Sequence, residues 1–565
     1  MHETATAWHQ TYSLFGESLG VSAVIAALPI FILLLLLGVL RKPAWMAGIV
    51  GLCAAFALAV GGYGMPVKPA VSAALYGATF GLFPISWIIF WAIALFRVTT
   101  ETGKFEIIRD SIGRLTPDPR LQALLIAFAF GAFLEGAAGF GTPVAIAATM
   151  LSGFGFSAFS ASAICLLANT APVAFGSIGI PVITLAGTTG LPLDKLSGAV
   201  GLLVSPVALF VPAYLIIAMA GFRAISGIVL PTLVAGASFA ITQFLVSTFM
   251  GPQLSSLLAA LVSILALIII LRQHRYRHKP GESGYPVAPG ADLRTIGMHD
   301  SASHAKQAVP AAATHLTTGE ILYAWVPYAL LVTCVVLWGV APIQKFLNKG
   351  TTVFGWPGLH DLVLRMPPVS NAPLPYHALF SFNFFSASGT ACMVATFLTA
   401  ICLRVSPSQF LIILLRVTKQ LALPIFTVAL VLGIGFLMNY CGATATLGLA
   451  FASTGKLFPF FSPLLGLLGV FLTGSDTSSN ALFGNLQVVT ANRLGLDPIL
   501  MAGANAAGGV MGKMISLQTI AVAAAATGLS DHDQSRLFRF TLKHSVFLAF
   551  IIGCLALFYT YGLHL

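Results

Sequence analysis

Two carboxylates stand inside long apolar stretches of this sequence. Glu135 lies in FGAFLEGAAGFGTPVA, and Asp476 lies in TGSDTSSN. An ionised carboxylate at membrane depth costs several kcal/mol unless it is paired, so each should be protonated or held by a partner. A group poised in that way is suited to proton coupling, and Glu135 and Asp476 are therefore the candidate proton-coupling residues. The sequence does not rank the two. For Glu135 the alternative is a structural carboxylate that is paired with a neighbour or faces an internal water.

The residues around both carboxylates are those of interrupted helices. Three glycines and Pro143 follow Glu135, and a break there would expose backbone N–H groups that attract anions. Seven of the eight side chains in TGSDTSSN carry hydroxyl, carboxyl or amide groups, which could bind the carboxylate and hydroxyl of a small hydroxy acid. An interhelical hydrogen-bond cluster or an extramembrane loop is the alternative. The candidate substrate-binding residues are Gly139, Gly141, Thr142, Asn169, Thr170, Ser475, Thr477, Ser478, Ser479, Asn480, Asn505 and Lys513.

Lys513 is the only Lys or Arg between residues 494 and 535. Its ammonium could pair with Asp476 or with Glu135, or hold an anionic substrate. A lysine that reaches from an apolar helix to the membrane interface would give the same pattern. The sequence leaves these alternatives open.

The composition predicts what kind of chain positions these groups. Hydrophobic residues make up 58% and charged residues 8%, whereas soluble proteins carry about a quarter charged residues. Apolar runs near the length of about 20 residues needed to span a bilayer recur along the chain, and such runs must be helical because lipid offers no partner for free backbone groups. We predict an all-α polytopic membrane protein with 12–14 transmembrane or re-entrant helical segments.

The charge pattern and the absence of known motifs exclude several functions. The net charge of +11 comes from basic residues in short stretches between spans, which indicates the positive-inside bias rather than nucleic-acid binding. The seven cysteines form no CxxC pair and predict neither a disulfide frame nor a metal site. Without a Walker motif or a nucleophile–base constellation, we predict neither an ATP-driven pump nor an enzyme, and no cofactor.

Polar stretches divide the chain into two membrane halves. We predict a first repeat over 1–271, a polar linker over 272–320 and a second repeat over 321–565, with a further polar stretch at 345–379. The linker begins with basic residues and is therefore expected in the cytoplasm. Placing Arg41 and Lys42 on that side as well requires that one segment after Arg120 does not cross completely.

The two halves share three landmarks in the same order, at an offset close to 340 residues. These pairs are Pro84 and Pro424, Glu135 and Asp476, and Asn169 and Asn505. Two repeats with the site at their interface are typical of secondary transporters, and we expect the repeats to be inverted. A duplicated channel or a coincidence would leave the same pattern.

Six stretches resemble the bacterial L-lactate permease family. They are FEIIRDSI at 105–112, FGAFLEGAAGFGTPVAI at 130–146, NTAPVAFGSIGIP at 169–181, LVLRMPPV at 362–369, GVFLTGSDTSSNALF at 469–483 and GKMISLQ at 512–518. Leu517 departs from the family pattern, which has proline in GKMISPQ.

The resemblance implies proton symport of L-lactate, D-lactate and glycolate by a multi-pass protein of the bacterial inner membrane. It also implies relation to a wider set of transporters with two inverted repeats and an elevator motion. Members of that set are often dimers, which makes a homodimer a candidate assembly beside the partners substrate, protons and membrane lipid. A sodium-coupled carrier or an exchanger of other small hydroxy or carboxylic acids is the nearest alternative, followed by a passive channel and a membrane-embedded enzyme.

Overall fold

The computed structural model describes residues 7–113, 115–139, 141–272 and 316–564, without the side chains of Thr142 and Asp531. Most of the predicted linker and the side chain of the predicted ligand Thr142 therefore lie outside the described residues.

Helices account for most of the described chain. Those of the first half are α1 Leu19–Leu34, α2 Ala44–Ala57, α3 Val67–Phe80, α4 Trp87–Glu101, α5 Lys104–Gly113, α6 Pro119–Gln122, α7 Gly131–Ala137, α8 Thr142–Gly153, α9 Ala158–Ala168, α10 Gly176–Thr189, α11 Leu193–Ala220, α12 Val229–Phe249 and α13 Ser255–Arg272. Those of the second half are α14 Thr318–Ala324, α15 Val326–Gly339, α16 Ala341–Leu347, α17 Ser388–Cys402, α18 Pro407–Cys441, α19 Ala443–Phe451, α20 Phe458–Thr473, α21 Asp476–Leu494, α22 Pro498–Lys513, α23 Leu517–Thr527 and α24 Asp531–Leu557. Short π-helical or 3₁₀ segments extend several of them.

Within the described ranges, 11 helical segments are long and apolar enough to cross a membrane, and up to 13 are if two bent helix pairs each count as one span. This confirms the predicted polytopic α-helical fold. Glycines allow close helix packing: a Cβ on Gly77 of α3 would lie 2.4 Å from the carbonyl oxygen of Leu432 in α18. Small residues at such contacts are typical of membrane helices, because lipid supplies no hydrophobic drive for association.

The segment from α6 to α8 turns back on itself. A Cβ on Gly113, before α6, would lie 2.3 Å from the ring of Phe154, after α8, so the two ends of this segment meet. The turn lies between Ala137 and Thr142, and Gly139 and Gly141 there have φ of +59° and +80°. The incomplete crossing after Arg120 that the charge pattern predicts stays a prediction, because Pro119–Ala137 is by itself long and apolar enough to cross a membrane.

A second hairpin is formed by α20 and α21 around Gly474. The two helices run antiparallel, because Gln487 donates to the carbonyl of Ser462 at 3.2 Å and Ser479 donates to that of Gly466 at 3.1 Å. Two further helix pairs are interrupted in mid-course: α9 and α10 between Ala168 and Gly179, and α22 and α23 between Lys513 and Leu517. The proposed repeat symmetry of these four broken elements stays a prediction.

The polar stretch 345–379 contributes most of two small sheets, which the sequence patterns did not predict. Their strands are β1 Trp8–His9, β2 Thr352–Gly355, β3 Val363–Arg365, β4 Leu374–Pro375 and β5 Leu379–Phe382. The sheet orders are β1-β3-β4 and β2-β5, with β1 parallel to β3 through the pairs Trp8–Val363 and His9–Leu364. The two sheets are called the cap below. Gln10, which follows β1, donates to the carbonyls of Asn439 and Tyr440 at 3.0 and 2.8 Å and so joins the cap to the end of α18.

Candidate functional site

The broken helices face a single cavity of about 440 Å³. Its polar lining consists of Glu135, Ser177, Thr427, Thr473, Ser475, Asp476, Thr477, Ser478, Lys513, Gln518 and Thr519. Its apolar lining includes Trp45, Val173, Ile180, Pro181, Leu423, Pro424, Val428 and Val522. The cavity therefore joins both sequence motifs that contain a carboxylate, although they are more than 300 residues apart.

Lys513 pairs with Glu135. The Lys513 Nζ lies 2.7 Å from Glu135 Oε1, and the side chains are 12% and 3% exposed. The second oxygen, Oε2, is buried and accepts no hydrogen bond from the described residues. Of the partners considered for Lys513, the structure therefore shows Glu135. The ammonium on the second half neutralises the carboxylate on the first half.

Asp476 is buried beside the same pair, and its carboxylate has no hydrogen-bond partner among the described residues. It is the first residue of α21, and neither carboxylate oxygen is bonded to any described group. A Cβ on Gly509 would lie 2.2 Å from Asp476 Oδ1, so the absence of a side chain at 509 makes room for the carboxylate. Lys513 follows Gly509 by one turn of α22, which makes it the nearest described source of positive charge on that helix.

The hydroxyl groups of TGSDTSSN at 473–480, called the octet below, are of two kinds: some bond to backbone groups, and others lie free at the cavity surface. Ser475 caps α21 by accepting from Ser478 N at 3.2 Å, and Thr473 donates to the carbonyl of Gly469 at 2.7 Å. The hydroxyls of Thr477 and Ser478 line the cavity and make no hydrogen bond within the described part of the chain. The N-terminal end of the 19-residue helix α21, with its partial positive charge, also points into this space.

Gly474 allows the break between α20 and α21 to contact the break between α22 and α23. Its φ is +71°, and a Cβ there would lie 2.6 Å from Gln518 Oε1 and 2.9 Å from Ser516 Oγ. Both the conformation and the close approach therefore require glycine. Leu517, the departure from the family pattern, is the first residue of α23, and the helix is interrupted before it despite the missing proline.

The break in α10 contains a backbone feature that the sequence motifs did not predict. Ser177, Ile178 and Gly179 have φ of 47°, 61° and 77°, a left-handed run that is costly for the first two residues. Ser177 donates to the carbonyl of Ala138 at 3.1 Å and so joins the break in α10 to the one after α7. The two glycines of GSIGIP are the sequence feature that could have predicted this break.

Three predicted ligands link helices instead of lining the cavity. Asn480 donates to the carbonyl of Pro181 at 3.1 Å, and Asn505 donates to Asn480 Oδ1 at 2.9 Å. Gln487 donates to Asn505 Oδ1 at 3.1 Å, so these amides join α10, α21 and α22. The third, Ser479, bonds across the α20–α21 hairpin.

Three other predicted ligands also lie outside the cavity lining. Asn169 and Thr170 are buried behind Lys513, and Thr170 donates to the carbonyl of Leu167 at 2.7 Å. Gly139 packs against Ser177. As substrate ligands, all six residues remain predictions, whereas Gly141, Ser475, Thr477, Ser478 and Lys513 lie at the cavity with both carboxylates.

One group of described residues in the cap contains side chains of the types that bind metal ions. The ligand atoms of His360, Asp361 and His377 lie within 4.8 Å of one another. Ala378 N, however, donates to His360 Nδ1 at 3.1 Å, which leaves the proton on Nε2, the atom that faces Asp361. A protonated nitrogen cannot ligate a metal, so this arrangement favours a hydrogen-bonded cluster.

Comparison with known proteins gives matches along the whole chain. The family model described as L-lactate permease matches residues 22–563. The L-lactate permease of Salmonella typhimurium is 42% identical over 98% of both chains, and that of Bacillus subtilis is 43% identical over 96% of this chain and 97% of its own. The glycolate permease GlcA of Escherichia coli is 40% identical over 98% of both chains. Among solved structures, the Alcanivorax borkumensis YdaH transporter covers 81% of this chain and 88% of its own at 14% identity, with a TM-score of only 0.30.

Proposed function

The chain belongs to the L-lactate permease family, and from that premise we propose that it carries L-lactate, D-lactate and glycolate across the membrane together with protons. It is a multi-pass protein of the bacterial inner membrane and a permease rather than an enzyme. The observation on which the proposal depends is the ion pair of Lys513 and Glu135 at a cavity that Asp476 shares.

The cavity offers a complementary group for each part of a small 2-hydroxy acid. The carboxylate would bind Lys513 and the N-terminal end of α21, since both attract anions. The unbonded hydroxyls of Thr477 and Ser478 would then accept from or donate to the substrate hydroxyl. The apolar side chains of Val173 and Val522 would face its carbon skeleton.

The need to keep the cavity electrically neutral couples the binding of lactate to the binding of a proton. Two ionised carboxylates and one ammonium would leave the cavity with a net charge of −1, which repels an anion. Because Asp476 has no hydrogen-bond partner among the described residues, we infer that it is protonated and that the empty site is neutral. Lactate must then compete with Glu135 for Lys513, and the displaced Glu135, buried at 3% exposure, takes up a proton.

This cycle moves one proton with one lactate anion and is electroneutral. A pH difference of one unit then drives about tenfold accumulation, equivalent to about 1.4 kcal/mol, and the membrane potential contributes nothing. If Asp476 also exchanged its proton during the cycle, the second charge would add about 2.3 kcal/mol for each 100 mV.

The test is uptake of labelled L-lactate into proteoliposomes with an imposed pH gradient and a pH dye inside. We expect accumulation with proton entry of one per lactate, no requirement for sodium, and competition by glycolate. Propionate, which lacks the 2-hydroxyl group, should compete poorly because the cavity hydroxyls would stay unpaired. Uptake that needs sodium, or that is indifferent to the pH gradient, would contradict the proposal.

A further inference from the structure

A second cavity of about 440 Å³ lies between the beginnings of α9 and α24 and the end of α11. Three cations border it from one face of α24, Arg536, Arg539 and Lys543, with spacings of three and four residues. Phe159 and Met219 supply apolar wall on the other side. This cavity is separate from the one that contains Glu135 and shares no lining residue with it.

The three cations have no counter-charge from the described residues. None of them forms an ion pair with a described carboxylate; Arg536 lies over the ring of Phe159 at 4.7 Å, and Arg539 bonds only the carbonyl of Ser535 at 3.4 Å. Three like charges on one helix face repel one another, so an anion between them is favoured. The planar guanidinium groups match the oxygen geometry of phosphate.

A separate apolar groove lies further along the same two helices, beyond the contact between Tyr214 and His544. It measures about 230 Å³ and is lined by Val207 and Val211 of α11 and by Phe547, Ile551 and Leu555 of α24. The 12 helical steps of α24 from Lys543 to Leu555 cover about 18 Å, which is roughly the thickness of one leaflet of the hydrocarbon core. A soluble phosphate would use only the charged end.

We propose that this composite surface is a binding site for an anionic phospholipid. The phosphodiester of the headgroup binds Arg536, Arg539 and Lys543, and one acyl chain follows the groove towards the middle of the membrane. The basic residues would lie at the cytoplasmic surface under the positive-inside bias, where anionic headgroups are available. The occupant then joins α24 to α9 and α11.

The experiment measures lipid binding by the purified, delipidated protein in detergent. Dipalmitoyl phosphatidylglycerol is titrated while the melting temperature is recorded, and dipalmitoyl phosphatidylcholine and inorganic phosphate are run in parallel. The variant Arg536→Gln/Arg539→Gln/Lys543→Gln should lose roughly tenfold or more in phosphatidylglycerol affinity. The matched control Lys42→Gln/Arg404→Gln/Lys419→Gln removes three exposed cations that lie outside the cavity and should bind like the original chain.

Each outcome decides the proposal. Stabilisation by phosphatidylglycerol that the cavity variant loses and the control keeps supports the site. Equal stabilisation by phosphatidylcholine, or equal loss in the control, overturns it. A phosphate effect as large as that of phosphatidylglycerol would assign the cavity to a soluble anion and remove the acyl chain. If the triple variant fails to reach a monodisperse state, Arg539→Gln alone is compared with Lys419→Gln in the same titrations.

Discussion

Replacing Glu135 by glutamine removes the proposed coupling proton while keeping the shape of the side chain. The original protein should concentrate lactate about tenfold for one unit of pH difference, which is about 1.4 kcal/mol of driving force. Without a carboxylate that alternates between Lys513 and a proton, the gradient no longer drives net uptake. The accumulation ratio of Glu135→Gln should therefore fall to about 1.

The same substitution should leave lactate binding intact. Lys513 is only 12% exposed, and removing one partner of a buried ion pair costs about 3–5 kcal/mol when the remaining charge has no substitute. The glutamine carbonyl oxygen still accepts from Lys513 Nζ at the 2.7 Å site, and bound lactate supplies a new carboxylate. Since Glu135 no longer competes, the half-saturation concentration for exchange of internal and external lactate should stay the same or decrease.

Both properties are measured in proteoliposomes, as accumulation under a pH gradient and as exchange without one. Glu101→Gln is the matched control, because Glu101 pairs with Arg416 at 2.9 Å outside the cavity. The control should accumulate lactate normally. Undiminished accumulation by Glu135→Gln would refute the coupling role, and loss of exchange together with accumulation would assign Glu135 to substrate binding or folding instead.

Four further substitutions separate the roles of residues within the octet. Asp476→Asn should keep proton-driven uptake if Asp476 stays protonated throughout, and a changed proton-to-lactate ratio by internal pH would show that it titrates in the cycle. Ser478→Ala should raise the half-saturation concentration for lactate but not for propionate, whereas Ser479→Ala should lower thermal stability by about 1 kcal/mol and leave both unchanged. Gly474→Ala should abolish uptake or folding, because a Cβ would lie 2.6 Å from Gln518 Oε1 at a φ of +71°; normal uptake would show that the turn tolerates rearrangement.

The candidate carboxylates were predictable because charge is costly in an apolar span. Glu135 and Asp476 stand out in sequence for that reason alone, and the glycines nearby indicated breaks that the structure contains. The partner of Lys513 was not predictable, since two carboxylates satisfied the same electrostatic argument and the choice depends on how segments 378 residues apart pack.

Neighbouring residues of one motif also take different roles for a geometric reason. Successive residues of an α-helix point about 100° apart, so Ser478 faces the cavity while Ser479 faces α20. Only the position of the helix start at Asp476 decides between them. The cap was not predicted because its strands are only two to four residues long, so no local periodicity marks them, and because β1 pairs with β3 across most of the chain.

The hydrogen bond between Gln10 and the Asn439 carbonyl, which joins the cap to α18, has a consequence for synthesis of the protein. Gln10 bonds Asn439, which is 429 residues further along the chain, and at about 5–20 residues per second the ribosome needs roughly 20–90 s to produce that partner. Strand Trp8–His9 is therefore synthesised well before its partner strand Val363–Arg365 and before Asn439. A chain that stops before Asn439 lacks the Gln10 contact, so this contact can form only after most of α18 has been synthesised.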